Sequence, residues 1–386
     1  MQIIKVTGQS EIHDFIEFPF KLYNQKNSSW WVPPMNTDME FNLDSNRHPF
    51  YDDPGSDAQC FLAKNNGRIK GRIMVIESAP YNKVHETNTA FFYFFETLDD
   101  EKIANALFDV VFDWARKRDL EQIIGPTGLL AGDGHGILVK GFGRRPGMGM
   151  PWNPPFYKEM VESAGFEKRA DTLSAQVSLD FESYWDLVQN LYESAEKVKK
   201  QRGLRVKTFD SQQAIKDELS WLTQELCNVY NKSFENLPFF HPMDEAKMRR
   251  IINQLLAVAT RRSVELFNLA MKDDRVIGFL LAYPNIVSGL RSAGGELWPL
   301  GWLYLKTARR FTTWVDANGI GILPEFQGTG AAVVMYAQLL KTLEKSRFQH
   351  LIINQVLEEN HKNLREMKIF GVTEFDRVHR IYRRKL

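Results

Sequence analysis

The chain has 386 residues, 44% of them hydrophobic and 12% aromatic, with 49 basic against 48 acidic side chains. That length suits two domains with packed cores, and a formal net charge of +1 argues against a generally polyanionic partner, so no nucleic acid is expected. Only two cysteines occur, Cys60 and Cys227, far apart and outside any metal-ligand spacing; this excludes a disulfide framework and suits a reducing compartment. No apolar run reaches the roughly 20 residues of a membrane-spanning helix, and residues 1–6 lack the basic-then-apolar layout of a secretion signal. The expectation is a cytoplasmic protein with no metal and no membrane partner.

In chain order, Arg68-Ile69-Lys70-Gly71 follows a polar turn and leads into an apolar strand, the pattern of a hairpin. A long strand at 89–96 contains Phe91-Phe92-Tyr93-Phe94-Phe95 and reads as buried, followed by a helix at 101–118 and a strand at 122–125. The turn before that helix, Glu96-Thr97-Leu98-Asp99-Asp100-Glu101, has no glycine; Asp99 suits an N-cap, with Asp100 and Glu101 meeting the helix dipole. Residues 125–149 form a glycine-rich stretch containing Asp133 and His135, in which Gly132-x-Gly134-x-Gly136 has a superficial likeness to a dinucleotide fingerprint. That fingerprint needs a helix to open on the loop at once, whereas Ile137-Leu138-Val139 stays apolar and extended. The stretch reads instead as a mobile flap lining a pocket, with His135 a candidate for substrate contact. A helix at 154–164 follows, closed by Gly165 where a left-handed cap is needed.

Residues 181–203 place Tyr184, Trp185, Val188, Leu191, Tyr192, Ala195 and Val198 at helical spacing, which predicts a connecting helix with one buried stripe and a solvated basic end. Beyond it the local pattern recurs. Arg275-Val276-Ile277-Gly278 repeats the hairpin, and Phe370-Gly371 repeats the helix-ending glycine, at offsets of 278 − 71 = 207 and 371 − 165 = 206. Two landmarks in one order at one offset predict two copies of one architecture, residues 1–180 and 204–386, joined by 181–203. The second copy carries a long strand at 311–323, a helix at 331–346, a strand at 350–356 and a helix at 360–370. It also inserts residues 284–310, where Trp298, Trp302 and Tyr304 either form an acceptor pocket or cover the sheet.

The most informative stretch is Ile322-Leu323-Pro324-Glu325-Phe326-Gln327-Gly328-Thr329-Gly330-Ala331-Ala332, which ends a strand, turns on two glycines and opens a helix. Small residues leave backbone N–H groups bare where a helix has unsatisfied donors and partial positive charge, a cradle for a pyrophosphate. Gln327, Gly328, Thr329, Gly330, Ala331 and Ala332 match the Gln/Arg-x-x-Gly-x-Gly/Ala signature, and the sequence therefore resembles the GNAT superfamily of N-acetyltransferases; Asn360 and Gly371 stand at the family's asparagine-to-glycine spacing. The whole chain also resembles a group of large bacterial GNAT-like proteins, through Asn153-Pro154-Pro155-Phe156-Tyr157, Pro299-Leu300-Gly301-Trp302-Leu303 and Arg380-Ile381-Tyr382.

The resemblance implies an α/β (α+β) fold of two tandem GNAT-like domains, each a mixed, mostly antiparallel, splayed sheet flanked by helices. It further implies acetyl-CoA as co-substrate, lying in the gap between the fourth and fifth strands, with its pyrophosphate on the motif amides and Asn360 nearby. A backbone N–H near Ile322 would meet the oxyanion. Carboxylates occupy the matching turn of the first copy, where like charge would outweigh a helix dipole worth about 0.3 to 2 kcal/mol, so a single CoA site is expected, in the second copy.

An amine of pKa about 10.4 must lose a proton before it attacks a thioester. Asp316 and Asn318 share one face of the strand before the motif, and Asp316 is the candidate base, with an ion-paired or solvated aspartate as the alternative. Many GNAT enzymes use a tyrosine four residues before the helix-ending glycine to protonate the thiolate; here that residue is Met367, and Tyr382 is the candidate substitute. Tyr157 and Trp302, within the resembling segments, are with His135 the candidate substrate contacts. The expected activity is acyl-CoA-dependent N-acyltransfer, most simply of acetyl, to a small-molecule amine or a peptide amino terminus. Two alternatives stay open: a non-catalytic acyl-CoA sensor or scaffold, and an aminoacyl-transferase of tandem-GNAT type, against which the near-neutral charge speaks. The acceptor and the oligomeric state are not encoded in these motifs.

Overall fold

Residues 1–23, 30–130, 133–183, 185–260 and 263–386 are described by the computed structural model; Tyr184 of the connecting stripe and Gly132 of the flap lie outside them. Runs rich in Ile, Val and Phe build the strands of the first copy: β1 Gln2–Lys5, β2 Asp57–Asn65, β3 Arg68–Glu77, β4 Thr89–Thr97, β5 Gln122–Gly125, β6 Ile137–Lys140 and β7 Glu167–Ser178. The second copy contributes β8 Leu204–Lys207, β9 Asn268–Lys272, β10 Arg275–Pro284, β11 Trp314–Ile322, β12 His350–Leu357 and β13 Arg377–Lys385. All join one sheet in the order β1-β2-β3-β4-β5-β13-β7-β12-β11-β10-β9-β8, with β6 also on β13.

That order is a palindrome of the two copies, and its centre departs from a simple reading of side-by-side repeats. The closing strands are exchanged. β13 pairs antiparallel with β5 of the first copy, Tyr382 opposite Gly125, while β7 pairs antiparallel with β12 of the second, Gln176 opposite Ile352. β7 and β13 then pair with each other, with His379 opposite Thr172; since 379 − 172 = 207, equivalent residues face each other there and a pseudo-two-fold axis passes between them. The cores follow the exchange. Tyr382 packs among the first-copy residues Phe92, Phe108 and Phe166, whereas Ala175 and Val177 pack into the second-copy core.

Helices cover the sheet at the expected places with shifted ends. The helix Glu101–Arg116 is capped by Asp100, not Asp99: Asp100 is the residue with extended backbone, and its carboxylate accepts the Lys102 N–H at 2.9 Å. The connecting helix is Trp185–Arg202, burying Val188, Leu191 and Ala195. In the second copy β11 begins only at Trp314, because Phe311 still belongs to the helix Gly301–Phe311. That helix crosses Val287–Ala293 at Gly289, where a Cβ would come within 2.6 Å of the Ala308 Cβ. The late helix is a short α segment, His361–Glu366, continued as a 3-10 turn to Phe370 and stopped by Gly371 at φ +75°.

Both copies carry the same distortion at the fourth strand. β4 and β5 run parallel from Thr89/Gln122 to Phe91/Ile124, and β11 and β12 from Trp314/His350 to Ala317/Ile353; beyond those pairs the strands diverge. The register also slips where β3 meets β4 and where β10 meets β11, close to Phe94 and Gly319, which have φ +46° and +145°. Each copy thus opens a gap in its sheet.

Candidate functional site

At the mouth of the second gap stands the motif turn. Gly328 and Gly330 adopt φ +76° and +93°, values open to glycine at little cost, and Gly330 is the N-cap of the helix Ala331–Glu344. No side chain caps this helix. The Gln327 and Thr329 amides bond back to Pro324 and Phe326, but those of Gly328, Gly330, Ala331 and Ala332 donate no hydrogen bond inside the chain among the described residues. The two glycines differ in surroundings. A Cβ at Gly328 would meet open space, whereas one at Gly330 would fall 2.7 Å from a Val198 methyl of the connecting helix. Four free N–H groups at a helix start, over an open approach, fit an anionic phosphate group.

Three cavities with shared walls lie inward of this turn. An outer one of about 500 Å³ is walled by Ile322, Gln327 and Asn360, the last of which caps its own helix by accepting the Asn363 N–H. It shares Ile320, Leu357 and Asn360 with a cavity of about 360 Å³ in the gap itself, whose walls are mainly apolar, among them Leu226, Phe234, Met248 and Phe279. That cavity in turn shares Asp133, Met148, Met150 and Asn318 with a third, of about 770 Å³, lying between the copies and bordered by Tyr157 and Trp302. Ile322, Gln327 and Asn360 are thus together at the outer mouth. Asn318 and Asn354, the residues just past the last β11–β12 pair, mark the point of divergence four residues deeper than Ile322.

The first-copy gap differs: Tyr93–Glu96 and Pro126, beyond its divergence, border the large cavity, and its turn end is held by a tyrosine. Tyr157, fully buried, accepts the Thr97 N–H at 2.8 Å and donates to the Thr97 carbonyl at 3.1 Å, and Tyr23 donates to it at 3.2 Å. Its ring borders the large cavity, but its hydroxyl is committed to closing β4.

The glycine-rich stretch is pinned instead of loose. Met148 N–H donates to Asp316 Oδ2 at 2.7 Å, Asn285 Nδ2 to Asp316 Oδ1 at 2.9 Å and to the Pro146 carbonyl at 3.0 Å, and Gln176 Nε2 to the Arg145 carbonyl at 2.6 Å. Asp316 is fully buried with both oxygens engaged, and it borders none of the three cavities. Burial pushes its carboxyl up to about 7, against the hydrogen bonds from Met148 and Asn285 and the nearby Arg145 charge, which favour the ionised form. Asp133, by contrast, stands at the junction of two cavities with the Leu130 N–H on one oxygen at 3.0 Å, and burial raises its pKa.

His135 lines the gap cavity, and its carbonyl accepts Gln355 Nε2 at 2.7 Å, which ties it to β12 beside Asn354. Burial lowers its ring pKa to about 4, so the imidazole is neutral near pH 7. Tyr382 is elsewhere: exchanged with β13 into the first copy, it donates to Glu162 at 3.0 Å, away from the motif turn. Trp302 is partly exposed, its indole N–H on the Pro299 carbonyl at 3.0 Å.

Two wall residues went unnoticed in the sequence, and a third, Asp133, was noticed without a role. Asn354, buried, makes no side-chain hydrogen bond at ordinary distance, although its amide lies close enough to lower the pKa of Asp316 and Tyr283. Its signal was available, as Asn354-Gln355 interrupts the apolar run of β12. Tyr336, on the motif helix, donates to Glu366 at 3.0 Å in the wall that also holds Met367; its inward-facing helical position was the only hint. Asp133 was visible as the lone carboxylate among glycines. Among the described residues no group of three or more His, Cys, Asp or Glu could hold a metal ion.

No family profile matches the sequence. Over 98% of its length the chain is 23% identical to protein YghO of Escherichia coli K12, covering 94% of that protein, and over 79% it is 26% identical to the bacterial ceramide synthase of Caulobacter vibrioides, covering 75%. Among solved structures, a tandem GNAT protein from the clavulanic acid biosynthesis pathway superposes with a TM-score of 0.54 at 11% identity, covering 100% of this chain and 98% of that one. The glucosamine N-acetyltransferase region of a fungal multi-domain β-N-acetylglucosaminidase gives 0.53 at 10% identity, covering 99% of this chain and 38% of that one. With its two splayed gaps, its motif turn and a superposition that runs from end to end, the chain has the tandem GNAT fold.

Proposed function

We propose that the protein is an acyl-CoA-dependent N-acyltransferase with one CoA site, in the second copy, and an amine site in the cavity between the copies. The observation that carries this reading is the succession of three cavities with shared walls, from the motif turn along the β11–β12 gap to the space between the copies. The amides of Gly328, Gly330, Ala331 and Ala332 would hold the pyrophosphate, with Gln327, Ile322 and Asn360 along the arm. Acyl-CoA supplies an acyl group activated as a thioester.

The chain's residues supply the rest. Asn354 and Asn318, at the divergence, offer amide donors where negative charge develops on the carbonyl oxygen. Asp133 at the cavity junction can hold an ammonium group and take its proton, because burial has raised its affinity for protons. Asp316 acts as a positioning residue, fixing the stretch that separates the two inner cavities. The apolar gap cavity supports an acyl group longer than acetyl, and the similarity to a protein named a bacterial ceramide synthase points the same way.

Thiol release measured with acyl-CoA donors from acetyl to palmitoyl, against primary amines from amino sugars and peptides to long-chain aliphatic amines, tests the reading. Amine-dependent release is expected with the longer donors, falling by about 10²-fold or more in Asp133→Asn. A different reading, an acyl-CoA sensor, is favoured by Met367 in the wall and by the distance of Tyr382 from it; CoA binding without release from any pair would support that sensor and overturn catalysis.

A further inference from the structure

The inserted segment of the second copy presents large apolar side chains to solvent beyond those that border the large cavity. Trp298 is 77% exposed, Phe311 65% and Leu300 52%, with Trp302, Leu303 and Tyr304 also exposed around the helix Gly301–Phe311. That helix packs closely on its inner side: Gly301 and Ala308 approach Val287–Ala293, and Gly289 lets the two helices close on each other. The apolar groups outside it are therefore not needed to hold it in place. From Leu297 to Phe311 there is no carboxylate, whereas Lys306, Arg309 and Arg310 supply three positive charges without an ion pair among the described residues.

Exposed tryptophan, tyrosine and leucine interleaved with unpaired cations is the chemistry of a surface that sits in the headgroup region of an anionic bilayer, with aromatic rings at the boundary and basic side chains on phosphates. A second observation ties the face to the interior: Trp302, Lys306 and Arg309 border the large cavity between the copies. We propose that the segment 297–311 is an interfacial docking face for an anionic lipid bilayer, which would bring the mouth of that cavity to the membrane surface. The face lies on the membrane without crossing it; among the described residues no helix is long and apolar enough to span one.

The experiment is co-sedimentation of the full-length protein with vesicles of phosphatidylcholine alone and of phosphatidylcholine and phosphatidylglycerol in equal amounts, at low and high salt. Binding is expected to the anionic vesicles, weakened by salt, with a blue shift of tryptophan emission. Trp298→Ser/Trp302→Ser and, separately, Lys306→Gln/Arg310→Gln should each weaken it by about tenfold or more without moving the thermal transition, since these side chains face solvent. Failure to sediment with either vesicle, or undiminished binding by both variants, would overturn the proposal. So would a dimer in sedimentation velocity that the tryptophan variant splits, for then a second copy covers the face. None of these outcomes depends on whether the chain transfers acyl groups.

Discussion

Asp316 illustrates how a residue picked out on a strand face can be enclosed by tertiary structure. Period-two alternation put it on the face of β11 that leads to the motif, and the sequence had no means of stating that residues 146–148 would fold over it. Because its folded-state carboxyl is raised to about 7 from an ordinary value near 4, the folded chain keeps a proton there that the unfolded chain releases. Its contribution to stability is therefore present below about pH 4 and lost as pH rises through 7. In Asp316→Asn the amide NH₂ faces one of two donors, Met148 N–H or Asn285 Nδ2, which no longer has an acceptor. Denaturant unfolding should show a loss of about 1 to 3 kcal/mol near pH 5, narrowing toward pH 8; a pH-independent difference would contradict this account. The glycines, in contrast, were legible one by one, since Gly165, Gly328, Gly330 and Gly371 all take the left-handed backbone that only glycine adopts cheaply.

At the scale of elements, the landmarks at Gly71/Gly278 and Gly165/Gly371 located the repeat, and most strands and helices fall where their periodicity put them. What periodicity does not contain is the identity of a strand's neighbour. Nothing in Arg377–Lys385 says that it pairs with β5 and not with β12, because an alternating strand satisfies either edge. The exchange has a physical consequence: each copy lacks a central strand and core side chains unless the other supplies them, Tyr382 for the first and Ala175 with Val177 for the second. Fragments 1–203 and 204–386 produced separately should each expose an unpaired strand edge and aggregate or remain unfolded, and should recover a cooperative transition when refolded together. Two independently folding, monomeric fragments would refute the exchange. The acidic turn 96–101 was legible as a run of carboxylates without glycine; that Tyr157 bonds the end of β4 beside it was not, since the contact joins residues 60 positions apart.

For the molecule as a whole, the duplicated fold carries two gaps that differ at their mouths: the second has the glycine turn, and the first has Tyr157 bonded to the end of β4. The second copy holds the motif turn and the outer cavity; the first contributes Asp133, His135 and Met148 to the walls of the inner cavities. The motif carries the proposed anion site in its own residues, because such a site depends on local backbone and helix polarity. It carried no information about the cavity between the copies, whose walls come from residues far apart in sequence. The central claim is therefore the single CoA site at the second-copy turn. Isothermal titration calorimetry with CoA tests it most directly, on the natural chain and on Gly328→Asp, with Gly328→Asn, which shares the left-handed backbone strain but not the charge, as its control. The expected result is one CoA per chain, with affinity reduced at least about tenfold in the aspartate variant; no binding, two sites per chain, or an affinity unchanged by the aspartate substitution would contradict the account.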